Sequence, residues 1–152
     1  GSDIVSDIER VDFVDGTLAF DVDGNAGQTY RLYQAAFERT PDSAGVNFHV
    51  NDIEDNGLNL HQVAGNFLAS PEFEQTYGSN LSDSSYVDAL YENVLGRAPA
   101  DFEKEYYLER FKKPESDAMW MDHAAALIGF SESPENMTLV GSQLENGIWL
   151  GS

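Results

Sequence analysis

The side chains best placed to hold an ion lie in Asp21-Val22-Asp23-Gly24-Asn25. Asp, Asp and Asn alternate there, so three oxygens can turn toward one hard cation, as calcium requires. An EF-hand loop counted from Asp21 would need Gly at its sixth position and Glu at its twelfth. Ala26 and Leu32 stand there instead. A different cage could be completed by Asp15, or by Asp12, from the segment just upstream. The competing reading is an Asx turn and helix N-cap, where acidic groups are favoured by the helix dipole.

A second candidate is stated twice. Tyr33-Gln34-Ala35-Ala36-Phe37-Glu38-Arg39-Thr40-Pro41-Asp42 is answered by Tyr91-Glu92-Asn93-Val94-Leu95-Gly96-Arg97-Ala98-Pro99-Ala100. In both, an aromatic-led helical stripe runs into Arg, one spacer and Pro. Arg39 and Arg97 could capture a carboxylate or another anion. They could equally act as structure, each forking onto an acidic neighbour such as Glu72 or Glu135. Those two acids belong to a second repeated word, Ser70-Pro71-Glu72 and Ser133-Pro134-Glu135. The structural role is favoured because the two words recur together. About five extra residues separate them in the second copy.

Other chemistry is thinly represented. His49, His61 and His123 have no metal spacing of the His-Glu-x-x-His kind and read as ordinary surface or core histidines. Ser70 and Ser133 read as helix caps, since no Gly-x-Ser-x-Gly elbow is present. There is no glycine-rich phosphate loop. Carboxylates are so numerous that the proximity of any two says little. The aromatics mostly fall at helical spacing and belong to the core. The exception is Met119-Trp120-Met121: a helix there could not bury all three on one stripe. Together with Tyr106 and Tyr107, that run is a candidate partner-binding surface, with packing from both sides as the alternative.

The elements that must position these groups follow from periodicity and punctuation. Residues 4–20 predict strand, turn, strand around Asp15-Gly16. Helices are predicted from about Gly27 or Gln28 to Glu38, from Asp42 or Ser43 to Glu54, and over about Leu60 to Leu68 capped by Asn59. A short helix is expected to open at Ser70-Pro71 and stop at Tyr77-Gly78. The next is capped by Ser84 or Ser85 and runs to Leu95. Three more are expected at about 100–112, 116–130 and 134–146, with Ile148-Trp149-Leu150 folding back onto the body. The expected fold is mainly α, with about eight helices in two similar four-helix repeats and a short N-terminal β-hairpin. The divisions are 1–26 for hairpin and acidic turn, 27–80 and 81–152 for the repeats, all in one unit. Copies this short are expected to stack on one another.

Composition narrows the function classes. The chain has 152 residues and a formal net charge of −19, with 41% hydrophobic and 12% aromatic content. That is an acidic domain with a core, not an acidic tail. Only eight lysines and arginines are available to neutralise phosphates, so nucleic acid is not the expected partner, nor is an anionic membrane surface. No apolar run approaches the length of a membrane span, and no membrane insertion is expected. The absence of cysteine removes disulfides and thiolate chemistry. Gly1-Ser2 has the look of a cloning remnant, so the chain is expected to be a fragment of a longer protein.

Three words in the first copy carry a family resemblance: Tyr30 to Phe37, Arg39 to Gly45, and Phe67 to Phe73. So do Leu90 to Pro99 and Phe130 to Asn136 in the second. They resemble the bacterial domain of unknown function 4214 over about residues 27–140. The segment Ile8 to Gly16 is similar to the one that precedes this domain in large calcium-associated RTX-type exoproteins, which leave the cell by type I secretion. The helical unit is also similar to phycobilisome linker domains. The resemblance implies a helical fold and a secreted or cell-surface location; it implies no established activity. The family places Gly, an aromatic and Trp after Pro-Asp. Here His49 stands for the Trp, and the second copy, Pro99-Ala100-Asp101-Phe102, lacks both the Asp and the Gly.

Residues and resemblance together give the expectation of a non-enzymatic extracellular interaction or scaffolding module, with Ca2+ as the candidate cofactor. Its partner would be a protein, a glycan or upstream repeats of the same chain. The alternative is a carbohydrate-binding or carbohydrate-processing domain that stacks aromatics on sugar faces and uses an Asp/Glu pair.

Overall fold

Helix caps explain most of the architecture. In the computed structural model, residues 9–151 are described. Two strands come first, β1 (Arg10–Phe13) and β2 (Gly16–Ala19). Eight helices follow: α1 (Asn25–Phe37), α2 (Ser43–Glu54), α3 (Leu60–Leu68), α4 (Pro71–Tyr77), α5 (Asp83–Leu95), α6 (Asp101–Phe111), α7 (His123–Ser131) and α8 (Pro134–Leu144). A last strand, β3 (Ile148–Gly151), closes the chain. The mainly helical fold with a short N-terminal hairpin is as expected. The part of the hairpin assigned to residues 4–8 lies outside the described residues.

Most helices begin where a short polar side chain can accept from an orphan N–H. Asp42 accepts from Gly45 N, Asn59 from Gln62 N, Ser70 from Phe73 N and Ser133 from Asn136 N. Gln62 returns the favour to Asn59 N and closes a capping box. Pro71 and Pro134 occupy the first helical position, where a missing N–H costs nothing. α5 starts slightly earlier than expected. Ser82, not Ser84 or Ser85, is its cap, accepting from Ser85 N.

One expectation fails, for a local reason. The helix expected over 116–130 begins only at His123. Residues 112–122 form turns instead: Asp117 N donates to Pro114 O, Trp120 N to Asp117 O, and Met119 N to the Asp117 side chain. Asp122 then caps α7 by accepting from Ala125 N at 2.8 Å. Met119-Trp120-Met121 therefore sits in a loop, and a helical stripe is not its constraint. The tail folds back onto the body as expected, and it does so as a strand. β3 pairs antiparallel with β2, Ile148 opposite Ala19 and Leu150 opposite Thr17, making a three-stranded sheet in the order β1-β2-β3. The two ends of the described chain thus meet in one sheet.

Two cores result. The larger joins α1, α3, α4, α5 and α7 through Leu32, Phe67, Phe73, Tyr86, Leu90, Leu127 and Phe130, so residues on both sides of position 80 share it. The smaller lies between the sheet, α1, α2 and α8, built on Ala19, Tyr30, Val46, Val50, Ile148 and Leu150. Arg31, almost fully buried, forks onto Glu132 at 2.8 Å and donates to Val22 O at 2.6 Å, tying α1 to the end of α7.

Candidate functional site

The repeated arginines are held by carboxylates of their own junctions. Arg39 Nε donates to Glu72 Oε1 at 2.7 Å, its Nη2 to the Tyr33 hydroxyl at 2.6 Å and its Nη1 to Asp42 at 3.4 Å. Arg97 forks onto Glu135 at 2.9 and 3.1 Å and onto Glu103 at 2.9 Å twice. Each guanidinium lies over the tyrosine that opens its word, 4.9 Å from the Tyr33 and Tyr91 ring centres. Pro41 and Pro99 turn the chain so that the next helix can start. Most of the donors of both guanidiniums are spent within the fold, on Glu72, Tyr33 and Asp42 or on Glu135 and Glu103.

The second junction uses a residue the sequence did not single out. Where the first has Asp42, which accepts from Gly45 N, Tyr33 and Arg39, the second has Glu103. It accepts from Ala100 N at 2.9 Å, from the Tyr91 hydroxyl at 3.3 Å and from Arg97. Arg97, and then the Ala100 N–H, hold the Glu103 carboxyl down to about 2. Asp42 is likewise lowered, chiefly by Gly45 N–H. The signal for Glu103 was present as an acid three residues after a helix start, the second half of a capping box.

The acidic turn is organised around a cation of the chain itself. Arg10 spans Asp21, at 3.1 and 3.0 Å, and Glu54, at 2.7 and 2.8 Å. Asp21 also accepts from Ala26 N and so caps α1 from a distance. Burial raises its pKa, but the guanidinium and that N–H outweigh burial and leave it below the usual range. Asn25 turns its amide nitrogen to Glu54 at 3.2 Å, and Asp23 is exposed. Asp15 sits at the hairpin tip, where Phe13 pairs with Gly16, while Asp21 lies beyond the far end, where Arg10 pairs with Ala19. The proposed set Asp15, Asp21, Asp23 and Asn25 therefore does not converge into a cage. Among the described residues, no three His, Asp or Glu side chains group to hold a metal ion.

The histidines pair with aspartates. His61 Nε2 lies 2.8 Å from Asp122, and His123 Nε2 2.8 Å from Asp83. His123 also stacks on Tyr86, 4.2 Å between ring centres, in a cleft of about 350 Å³ that includes Ser70 and Phe73. Ser70 Oγ donates there to Phe67 O and accepts from Phe73 N, so it is a cap with its proton committed. Burial pushes the Tyr86 hydroxyl well above its ordinary value, which keeps it neutral.

The candidate partner-binding residues separate into two groups. Tyr107 packs inward against Phe130, 5.1 Å between ring centres, and Met121 against the larger core. Trp120 is half-buried. Tyr106 and Met119 face outward, 45% and 51% exposed, and Phe102 joins them at 76%. Phe102, Tyr106 and Arg110 are spaced four apart on one stripe of α6, with the Arg110 guanidinium 3.4 Å from the Tyr106 ring centre. Met121 N donates back to Arg110 O, which anchors the loop carrying Met119 to the last turn of α6. No α6 side chain is fully buried; the helix covers the core with Tyr107, Leu108 and Phe111 and presents the rest. Residues 101–113 hold four anions and four cations, so the net charge of −19 lies wholly outside them.

Among the described residues, no helix is long and apolar enough to cross a membrane. No curated protein and no solved structure matches the chain. The family model described as domain of unknown function (DUF4214) matches residues 64–140, about half of the sequence, from α3 into α8. With Arg97, Glu103 and Glu135 all inside the matched span, the chain belongs to the DUF4214 family.

Proposed function

We propose that the chain is a non-enzymatic interaction or scaffolding module of a larger secreted or cell-surface protein. That protein would be calcium-associated and exported by type I secretion, as the likeness of its hairpin and helical words to RTX-type exoproteins suggests. One observation carries the interaction reading. The outer stripe of α6 presents Phe102 and Tyr106 to solvent on an electrically neutral helix of a strongly acidic molecule, and Met119 is exposed in the loop after it. A partner meets the least repulsion there and finds aromatic area already held in place. The polar groups of the junctions and the acidic turn are committed to one another, which suits a module that presents a surface.

Carbohydrate binding or processing is the second reading, since the same exposed rings could stack on sugars. A glycan array and a glycosidase panel, run on the wild type and on Phe102→Ser/Tyr106→Ser/Met119→Ser, separate the two. The expected outcome is no turnover, with any capture of partner proteins lost in the triple variant. Hydrolysis with a defined pH optimum would overturn the proposal. Glycan binding that the triple variant abolishes would replace the protein partner with a sugar.

A further inference from the structure

Among the described residues, the three-stranded sheet has one face with no partner. Alternation sorts its side chains. Ala19, Ile148 and Leu150 point into the smaller core and are buried. Leu18, Phe20 and Trp149 therefore point the other way, with Val11 opposite Leu18 and Phe13 two residues further on the same face. Within the three strands, no acid, base, amide or hydroxyl side chain lies on that face. Phe13 is 54% exposed and Trp149 38%, and their rings are 5.9 Å apart. The indole is seated on β2, because a Cβ at Gly16 would come within 2.6 Å of it. Phe20 and Leu18 close over Gly147 in the same way, at 3.1 and 3.0 Å. The face is thus a fixed apolar platform, little of whose area must be ordered on binding.

Charge selects the occupant. The ends of these strands carry exposed carboxylates: Glu9 before β1, Asp15 at the turn and Glu145 before β3. Arg10 is the lone cation of the first thirty residues and is forked onto Asp21 and Glu54; after Glu132 there is no lysine or arginine at all. A second copy of the chain would bring carboxylate rim to carboxylate rim at −19 each. On the apolar face itself a sugar would find only the indole N–H to bond, the carboxylates lying at its rim. We infer that this sheet face docks an extended segment of a partner protein in which apolar residues alternate with lysine or arginine. The apolar side chains lie on Phe13, Leu18 and Trp149, and the cations reach the acidic rim. An apolar sheet face, with a β1 edge that no other described strand pairs, suits a strand. This surface is separate from the α6 stripe and does not depend on it.

The test uses the full chain with Trp120→Phe, which leaves Trp149 as the sole tryptophan. The probe is a labelled peptide of about ten residues, alternating valine or phenylalanine with lysine, a length that matches a strand. Its counterpart carries glutamate for lysine. The lysine peptide is expected to bind, blue-shift Trp149 emission and weaken as salt rises from about 50 to about 300 mM. Phe13→Ser and, independently, Phe13→Lys are expected to weaken it at least about tenfold, with far-UV circular dichroism unchanged. Phe102→Ser/Tyr106→Ser is expected to bind as well as its parent, which keeps this result apart from that of the α6 surface. Equal affinity in the Phe13 variants would overturn the inference. So would equal binding of the glutamate peptide, or self-association of the protein that buries Trp149.

Discussion

Single side chains decide how each helix junction is held. Arg39 with Glu72 and Arg97 with Glu135 were legible because both words recur together and an arginine fork needs a carboxylate. Glu103 was not legible as the counterpart of Asp42. One arises before its helix and the other inside it, and only the fold brings each to the corresponding tyrosine and arginine of its own copy. His49 shows what a substitution can cost. It stands where the family resemblance places Trp, with its ring 4.6 Å from Phe67 and 6.2 Å from Tyr33. Burial lowers its pKa below 6.5, and the hydrogen bond to Asp52 only partly offsets this. The folded state therefore binds fewer protons than the unfolded chain just below pH 6.5. Its stability is full above that pH and falls as pH drops through the folded value. His49→Phe is expected to flatten that slope in chemical denaturation at several pH values. An unchanged slope would show that His49 titrates alike in both states.

At the scale of elements, local signals located most helices and misplaced one. Asp42, Asn59, Ser70 and Ser133 are caps in sequence and in structure. Residues 116–122 have helix-compatible composition, but Asp117 and Asp122 spend their carboxylates on nearby N–H groups and delay α7. β3 could be recognised only as a segment returning to the body, because strand pairing is a contact between the ends of the chain. The start of α1 gives a sharp test. Gly27 lies against the Val22 carbonyl, which also accepts from Arg31, and a Cβ there would overlap that backbone. Gly27→Ala is expected to destabilise by about 3 kcal/mol in urea denaturation, as overpacking against rigid backbone does. Gly129→Ala, in α7 with open space around it, is expected to stabilise by about 0.5–1 kcal/mol, through helix propensity alone. Equal effects at the two sites would contradict the packing described for α1.

For the whole molecule, charge sets the behaviour. There are 27 acidic residues against eight basic ones. The arginine and lysine ion pairs are mostly surface pairs worth about 0–1 kcal/mol each, which salt weakens. The unmatched carboxylates repel throughout the folded state, which salt relieves. That repulsion outweighs the ion pairs, since most acids have no cation to lose. Raising sodium chloride from about 10 to about 150 mM is expected to raise the melting temperature by a few degrees. A fall in melting temperature would mean that the arginine junctions dominate stability.

The sequence by itself determined the helical class, the caps at Asp42, Asn59, Ser70 and Ser133, the arginine–glutamate junctions and the acidic, cysteine-free character. All of these are local patterns or sums over residues. The tertiary structure decided that Arg10 occupies Asp21 and Glu54, that Asp15 lies at the far end of the hairpin from Asp21, and that Glu103 serves the second junction. It also decided that Trp149 stands out from a three-stranded sheet beside Phe13. Each of these joins groups whose distance along the chain carries no information about their distance in space, because chain closure and burial, not local propensity, bring them together.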